Sequence, residues 1–250
     1  DTYRGGDKDY DAEVGEIVSE AGSIAGFLIE SMLSCAGQVP LPHGFLTKSF
    51  GHVRAAGGLC IADEVQVGFG RVGTHMWAFE EHEVVPDIVV MGKPMGNGHP
   101  MAAVFTTPEI ASSFEEMEFF STFGGNPVSC AIGMAVMDCI EQDGLMKRAS
   151  ELGERFMTGL KELQAKYDII GDVRGRGLFL GFELVKDRET KEPAVEEATR
   201  IVDMMRDKGV LLSTDGPHHN VIKIKPPMVL TEEDIDNTLY SLNDNLAKSP

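Results

Sequence analysis

Gly58-Leu59-Cys60-Ile61-Ala62-Asp63-Glu64-Val65-Gln66-Val67-Gly68-Phe69-Gly70-Arg71 opens a stretch that closes with Pro86-Asp87-Ile88-Val89-Val90-Met91-Gly92-Lys93-Pro94-Met95-Gly96-Asn97-Gly98-His99. Its two short apolar runs, Leu59 to Ala62 and Ile88 to Met91, each end in polar, glycine-rich chain. Runs of that length between turn signals suit buried strands of a parallel sheet. Reactive groups in open α/β sheets sit just beyond the carboxyl ends of such strands. Asp63 and Lys93 are therefore expected at neighbouring strand ends, with a cofactor held between them.

Working outward from this stretch, Ile24 to Ile29 reads as a further strand and Phe45 to Ala56 as the helix that leads to Gly57-Gly58. Ala12 to Ala21 reads as a short helix, Ser31 to Gly44 as a loop, Ala102 to Thr106 as a strand and Pro108 to Phe114 as a brief helix. Ser121 to Pro127 is a glycine-rich turn before Val128 to Ile140, which is apolar nearly all round and is expected to be a buried helix. This alternation of strand and helix predicts parallel pairing.

A second unit begins near Gly144. Leu145 to Tyr167 and Ala194 to Lys208 read as amphipathic helices. Ile169 to Arg174, Leu178 to Leu184, Val210 to Ser213 and Val221 to Lys225 read as strands, and Thr231 starts a last helix with acidic residues in its first turn. The expected organisation is residues 1–143 as part of a large, mostly parallel-sheet α/β domain and residues 144–250 as a small α+β domain.

Composition narrows the function. The 250 residues are 42% hydrophobic and 25% charged, an ordinary globular balance. With 22 basic against 40 acidic side chains the formal charge is -18, which argues against nucleic acid or an anionic membrane as main partner. No apolar stretch approaches the ~20 residues of a membrane span. The four cysteines lack metal-ligand spacing and read as buried, reduced thiols of an intracellular, cytoplasmic or mitochondrial protein, with no metal expected. The start at Asp1 carries neither a signal-peptide apolar region nor an initiator Met.

Several residues can carry chemistry. Lys93, in a turn with Gly92, Gly96 and Gly98, can approach a ligand closely, and desolvation or a nearby cation would favour its neutral amine. Without that context, a lysine is usually a solvated surface charge. Asp63 can keep a pyridine nitrogen protonated, turning the ring into an electron sink; an Asp-Glu pair at a strand end is otherwise often a helix cap. Gln66 can donate to a ring oxygen. Ser121, Thr122 and the glycines after them can cradle a phosphate or form a plain N-cap turn.

The strings Ile61 to Arg71, Met91 to Pro100 and Ser121 to Ala131 resemble those of the class III pyridoxal-phosphate-dependent aminotransferases of fold type I. The resemblance implies pyridoxal 5'-phosphate as cofactor, Lys93 as the Schiff-base lysine, Asp63 at the pyridine nitrogen and Gln66 near the phenolic oxygen. It also implies that Thr122 binds the cofactor phosphate of a neighbouring subunit, hence a homodimer. Ile29 to Gln38, Leu211 to Pro217 and Val221 to Met228 are most similar to the family's ammonia-releasing phospho-lyases, implying a small phosphorylated amine such as ethanolamine phosphate as substrate. Many transaminases of the class have an arginine at the position of Lys223 and several a glutamate at that of Cys35. Lysine cannot reproduce an arginine's bidentate grip on a carboxylate. Lys223, Lys225, Arg176 and Arg4 are the candidate contacts to substrate phosphate.

Family members begin well before the residue matching Asp1, with a phosphate-binding turn and a ring-stacking aromatic residue in that earlier part. A transaminase of the alanine–glyoxylate kind and a non-catalytic truncated dimerisation fragment are the alternatives.

Overall fold

The computed structural model describes Tyr3 and residues 8–248. Helix α1 (Tyr10–Ala21) is capped by Asp9, whose carboxylate accepts from the Ala12 N–H. After it come β1 (Gly26–Glu30), a two-stranded ribbon of β2 (Met32–Leu33) and β3 (Val39–Pro40), and α2 (Phe45–Ala55). The ribbon lies in the segment expected to be a loop. Helix α2 buries Leu46, Phe50 and Val53 against Cys60 of β4 (Leu59–Asp63). The strands β5 (Ile88–Met91) and β6 (Ala103–Thr106) complete a sheet of order β1-β4-β5-β6. Its first three strands are parallel, as expected, and β6 is an antiparallel edge. Asp87 pins the β4–β5 register: its carboxylate accepts from the Cys60 N–H at 2.7 Å and from Arg54 at 3.1 Å.

Helices α3 (Pro108–Phe114) and α4 (Pro127–Gln142) follow, and α4 overturns an expectation. It buries only Gly133 and Ile140, leaving Val128, Met134 and Met137 exposed. Apolar residues on all sides mark a helix that avoids water on all sides; among the described residues, no element covers the outer face. The cysteine expectation is corrected too. All four are free thiols, but only Cys60 is buried; Cys35 sits on the ribbon turn, and Cys130 and Cys139 on exposed faces of α4.

The remaining chain builds a second sheet, order β7-β8-β10-β9, antiparallel throughout. Its strands are β7 (Ile170–Arg176), β8 (Phe179–Leu184), β9 (Ser213–Asp215) and β10 (Val221–Ile224). Three helices, α5 (Leu145–Lys166), α6 (Val195–Asp207) and α7 (Glu232–Leu246), close one core over it. Leu152, Phe156, Leu160 and Leu163 recur every three or four residues on α5 and face that core. Thr231 and Asp234 cap α7 reciprocally, as the sequence indicated. Strand β9 lies later than the expected Val210 to Ser213, because pairing with β10 aligns Asp215 with Val221 and Ser213 with Lys223. Leu211 stays exposed.

The two sheets are joined through backbone contacts that side chains would block. Gly177 has φ +50°, and a Cβ there would stand 2.5 Å from the Arg71 carbonyl oxygen. Arg174, which is buried, donates to the Gly37 carbonyl of the ribbon at 2.8 Å and to Asp172 and Glu183 at 2.7 and 2.9 Å. Arg174→Ala would leave buried Glu183 without its guanidinium. A loss of about 3–5 kcal/mol in unfolding free energy is expected, read from the urea midpoint.

Candidate active site

Strand pairing decides where Asp63 and Lys93 stand. Asp63 ends β4 opposite Glu30 of β1 and Val90 of β5. Lys93 follows three residues after Val90, as the first residue of a 3₁₀ turn, Lys93–Gly96, that breaks away at the strand end. With neighbouring strands ~4.8 Å apart and ~3.5 Å per extended residue, the two Cα atoms lie within about 12 Å. One Asp63 oxygen accepts from the Val65 N–H at 2.9 Å, which fixes the carboxylate as the chain leaves the strand.

The Lys93 side chain is exposed and lines a cavity of about 240 Å³ with Val65, Gln66, Arg71, Asn97 and Lys225. Gln66 and Lys225, 159 residues apart, meet there: the ammonium donates to Gln66 Oε1 at 2.6 Å. Lys225 also stands 5.5 Å from the centroid of the buried Phe179 ring. Burial, then the charges of Lys223, Arg71 and Lys93, hold its amine below the ordinary lysine range, against the pull of Asp215. Lys223, two residues earlier and so on the same face of the strand, is paired with Asp215 at 3.2 Å. Asp215 in turn accepts from buried Gln38 at 3.0 Å. Arg71 donates to the carbonyls of Leu178 and Pro226. The result is a cluster of four cations in a strongly acidic chain.

Beside Asp63, Glu64 is fully buried. It accepts from the Ser31 hydroxyl and from the Ala78 and Phe79 N–H groups, at the start of a second 3₁₀ turn, Ala78–His82. The Asp-Glu pair thus divides its work, with Glu64 as the cap. Sequence reasoning met Glu64 only as part of a possible Asp-Glu cap and passed over Arg71, although both lie in the strings that carried the resemblance.

Thr122 is exposed, in a turn held by the Ser121 hydroxyl on the Gly124 N–H and by Asn126, which caps α4. His99 meets Ser129 of that helix at 2.8 Å, tying the Thr122 turn to the chain after Lys93. Thr122 does not line the Lys93 cavity. Arg176 is exposed at the end of β7 and lines a different cavity, of about 380 Å³, with Thr74, Gly153 and Glu154. The structure does not bring it to Lys93. Arg4 lies outside the described residues.

A family model described as aminotransferase class-III matches residues 10–246. The chain belongs to the class III aminotransferase family. It is 51% identical over 226 residues to an alanine–glyoxylate aminotransferase 2-like protein of Drosophila melanogaster, covering 89% of this chain and 46% of that one. It is 44% identical to the mitochondrial alanine–glyoxylate aminotransferase 2 homolog 2 of Arabidopsis thaliana, covering 99% and 53%. A solved phospholyase from Arthrobacter, in complex with phosphoethanolamine, superposes with a TM-score of 0.91 at 41% identity, covering 96% of this chain and 58% of that one. The chain thus spans about half the length of the curated relatives it matches. The two sheets and their helices have the architecture of fold type I pyridoxal-phosphate transferases. The donor set around Lys93 fits such a cofactor: an accessible amine, a carboxylate at the next strand end and an amide whose oxygen is already engaged.

Proposed function

We propose that this chain carries the reacting lysine of a pyridoxal-phosphate enzyme that eliminates phosphate and ammonia from a small phosphorylated amine such as ethanolamine phosphate. The observation that supports elimination is the pair Lys223 and Lys225, two residues apart, while Arg71, the guanidinium that lines the Lys93 cavity, is engaged by the Leu178 and Pro226 carbonyls. Two ammonium groups act as point charges suited to a phosphate. The likeness to the phosphoethanolamine-bound phospholyase supports the same reading.

The bound cofactor supplies an electron sink for a carbanion at the amine-bearing carbon. With the cofactor bound, Lys93 would hold it through its amine and, once free, would take the proton from that carbon. Asp63 keeps the ring nitrogen protonated, and Gln66 donates to a ring oxygen. Lys223 and Lys225 hold the phosphate as it leaves. Thr122 serves the cofactor phosphate of a second copy, in a homodimer. Exposure of Phe120 and Phe123, 85% and 82%, on either side of that turn supports such an interface. Residues 1–143 belong to the large cofactor domain and 144–250 to the small one. The mitochondrial name of the Arabidopsis relative supports a mitochondrial or cytoplasmic location, and among the described residues no helix is long and apolar enough to cross a membrane.

Transamination is the second reading, and the names of both curated relatives weigh toward it. A product assay separates the two. Equal release of phosphate and ammonia from ethanolamine phosphate is expected. Glycine and pyruvate formed from alanine and glyoxylate, without phosphate release, would establish the transaminase instead.

A further inference from the structure

Lysine offers three donors and no acceptor, so only the oxygen of an amide can face it. Lys225 therefore fixes the rotamer of Gln66: Oε1 is taken at 2.6 Å, and Nε2 makes no hydrogen bond among the described residues. Lys225 is itself anchored, over the Phe179 ring and directly after β10. We propose that Lys225 is a positioning residue for the cofactor, holding the Gln66 amide so that only its Nε2 donor is presented to an anionic ring oxygen in the Lys93 cavity. This rests on the cofactor reading above and goes beyond it, because it gives Lys225 a role independent of substrate phosphate.

A fixed donor and a nearby cation both favour the deprotonated form of an acidic group on the bound ring. The charged groups around the Lys225–Gln66 pair are Lys93, Arg71, Lys223 and Asp215, with Asp63 at the end of the adjoining strand. None of the other cations is bonded to Gln66. Removing Lys225 frees the amide to turn its oxygen toward the ring and removes one positive charge. The ring group should then hold its proton to higher pH.

The test is the pH midpoint of the visible absorbance of the cofactor-loaded protein, read without substrate. Lys225→Met is expected to raise it by about one unit. Lys225→Arg, also a donor-only cation, should keep it within a few tenths of the parent. In a Gln66→Ala background, Lys225→Met should raise it by clearly less, since the amide is gone and only the lost charge still acts. An unchanged midpoint in Lys225→Met overturns the proposal, as does an undiminished rise in the Gln66→Ala background. Should Lys225→Met fail to melt cooperatively, Lys225→Gln is read in its place, with the same upward direction expected. A parent protein with no visible band fails the cofactor reading itself, a separate result.

Discussion

Lys93→Ala is expected to lose both the visible absorbance of bound cofactor and turnover, with kcat down by at least about 10⁴. Two duties meet in this one amine: it anchors the cofactor and it carries the substrate proton. General acid–base catalysis alone contributes about 10²–10⁴, and loss of the covalent anchor adds to it. The fold should survive, because Lys93 is exposed and makes no hydrogen bond to another described side chain. An unaltered melting curve with lost absorbance is the expected pair of results. Lys225, which also lines the cavity, does not substitute for it: its ammonium is held by Gln66.

Glu64 should show a large, pH-dependent effect on stability. At pH 5, Glu64→Ala is expected to cost about 4 kcal/mol, because it strands the Ser31 hydroxyl and two N–H groups in a dry site and empties the volume between them. Burial pushes the Glu64 carboxyl up to about 7, while Ser31 and the Ala78 and Phe79 N–H groups pull it down and Asp63 adds to the rise. Raised above its ordinary 4.5, the group binds its proton more tightly folded than unfolded. Its contribution is complete below pH 4.5 and is lost progressively as the pH rises to about 7. The shift corresponds to about 3 kcal/mol. Glu64→Gln stays neutral throughout, so the parent should lose about that much relative to it across this interval in urea titrations. Parallel curves for the two proteins would contradict the buried, proton-binding assignment.

Much of the site was legible before any coordinates. Two four-residue apolar runs, one ending just before Asp63 and one just before Gly92-Lys93, are too short to be core helices, and length and turn signals together forced strands. Parallel pairing then brought both residues to the same end of the sheet. The pairing of Gln66 with Lys225 was not legible. It depends on β10 reaching across from the second sheet, a contact 159 residues long in sequence that local pattern does not encode. The 3₁₀ turns at Lys93–Gly96 and Ala78–His82 were missed because one turn carries no periodicity to detect. Helix α4 was misread because an apolar sequence shows that its faces avoid water, without showing what covers them. Arg176, between two glycines, was a candidate contact to substrate phosphate. Its own strand instead carries it to the Gly153 side, where Gly177 packs on the Arg71 backbone.

The central claim is that one particular amine, Lys93, bonds covalently to pyridoxal phosphate. Borohydride reduction of the cofactor-loaded protein, followed by peptide mass mapping, tests it directly. The pyridoxyl mass is expected on the peptide containing Lys93 and on no other. Label on Lys225 or on surface lysines, or no label at all, would contradict it.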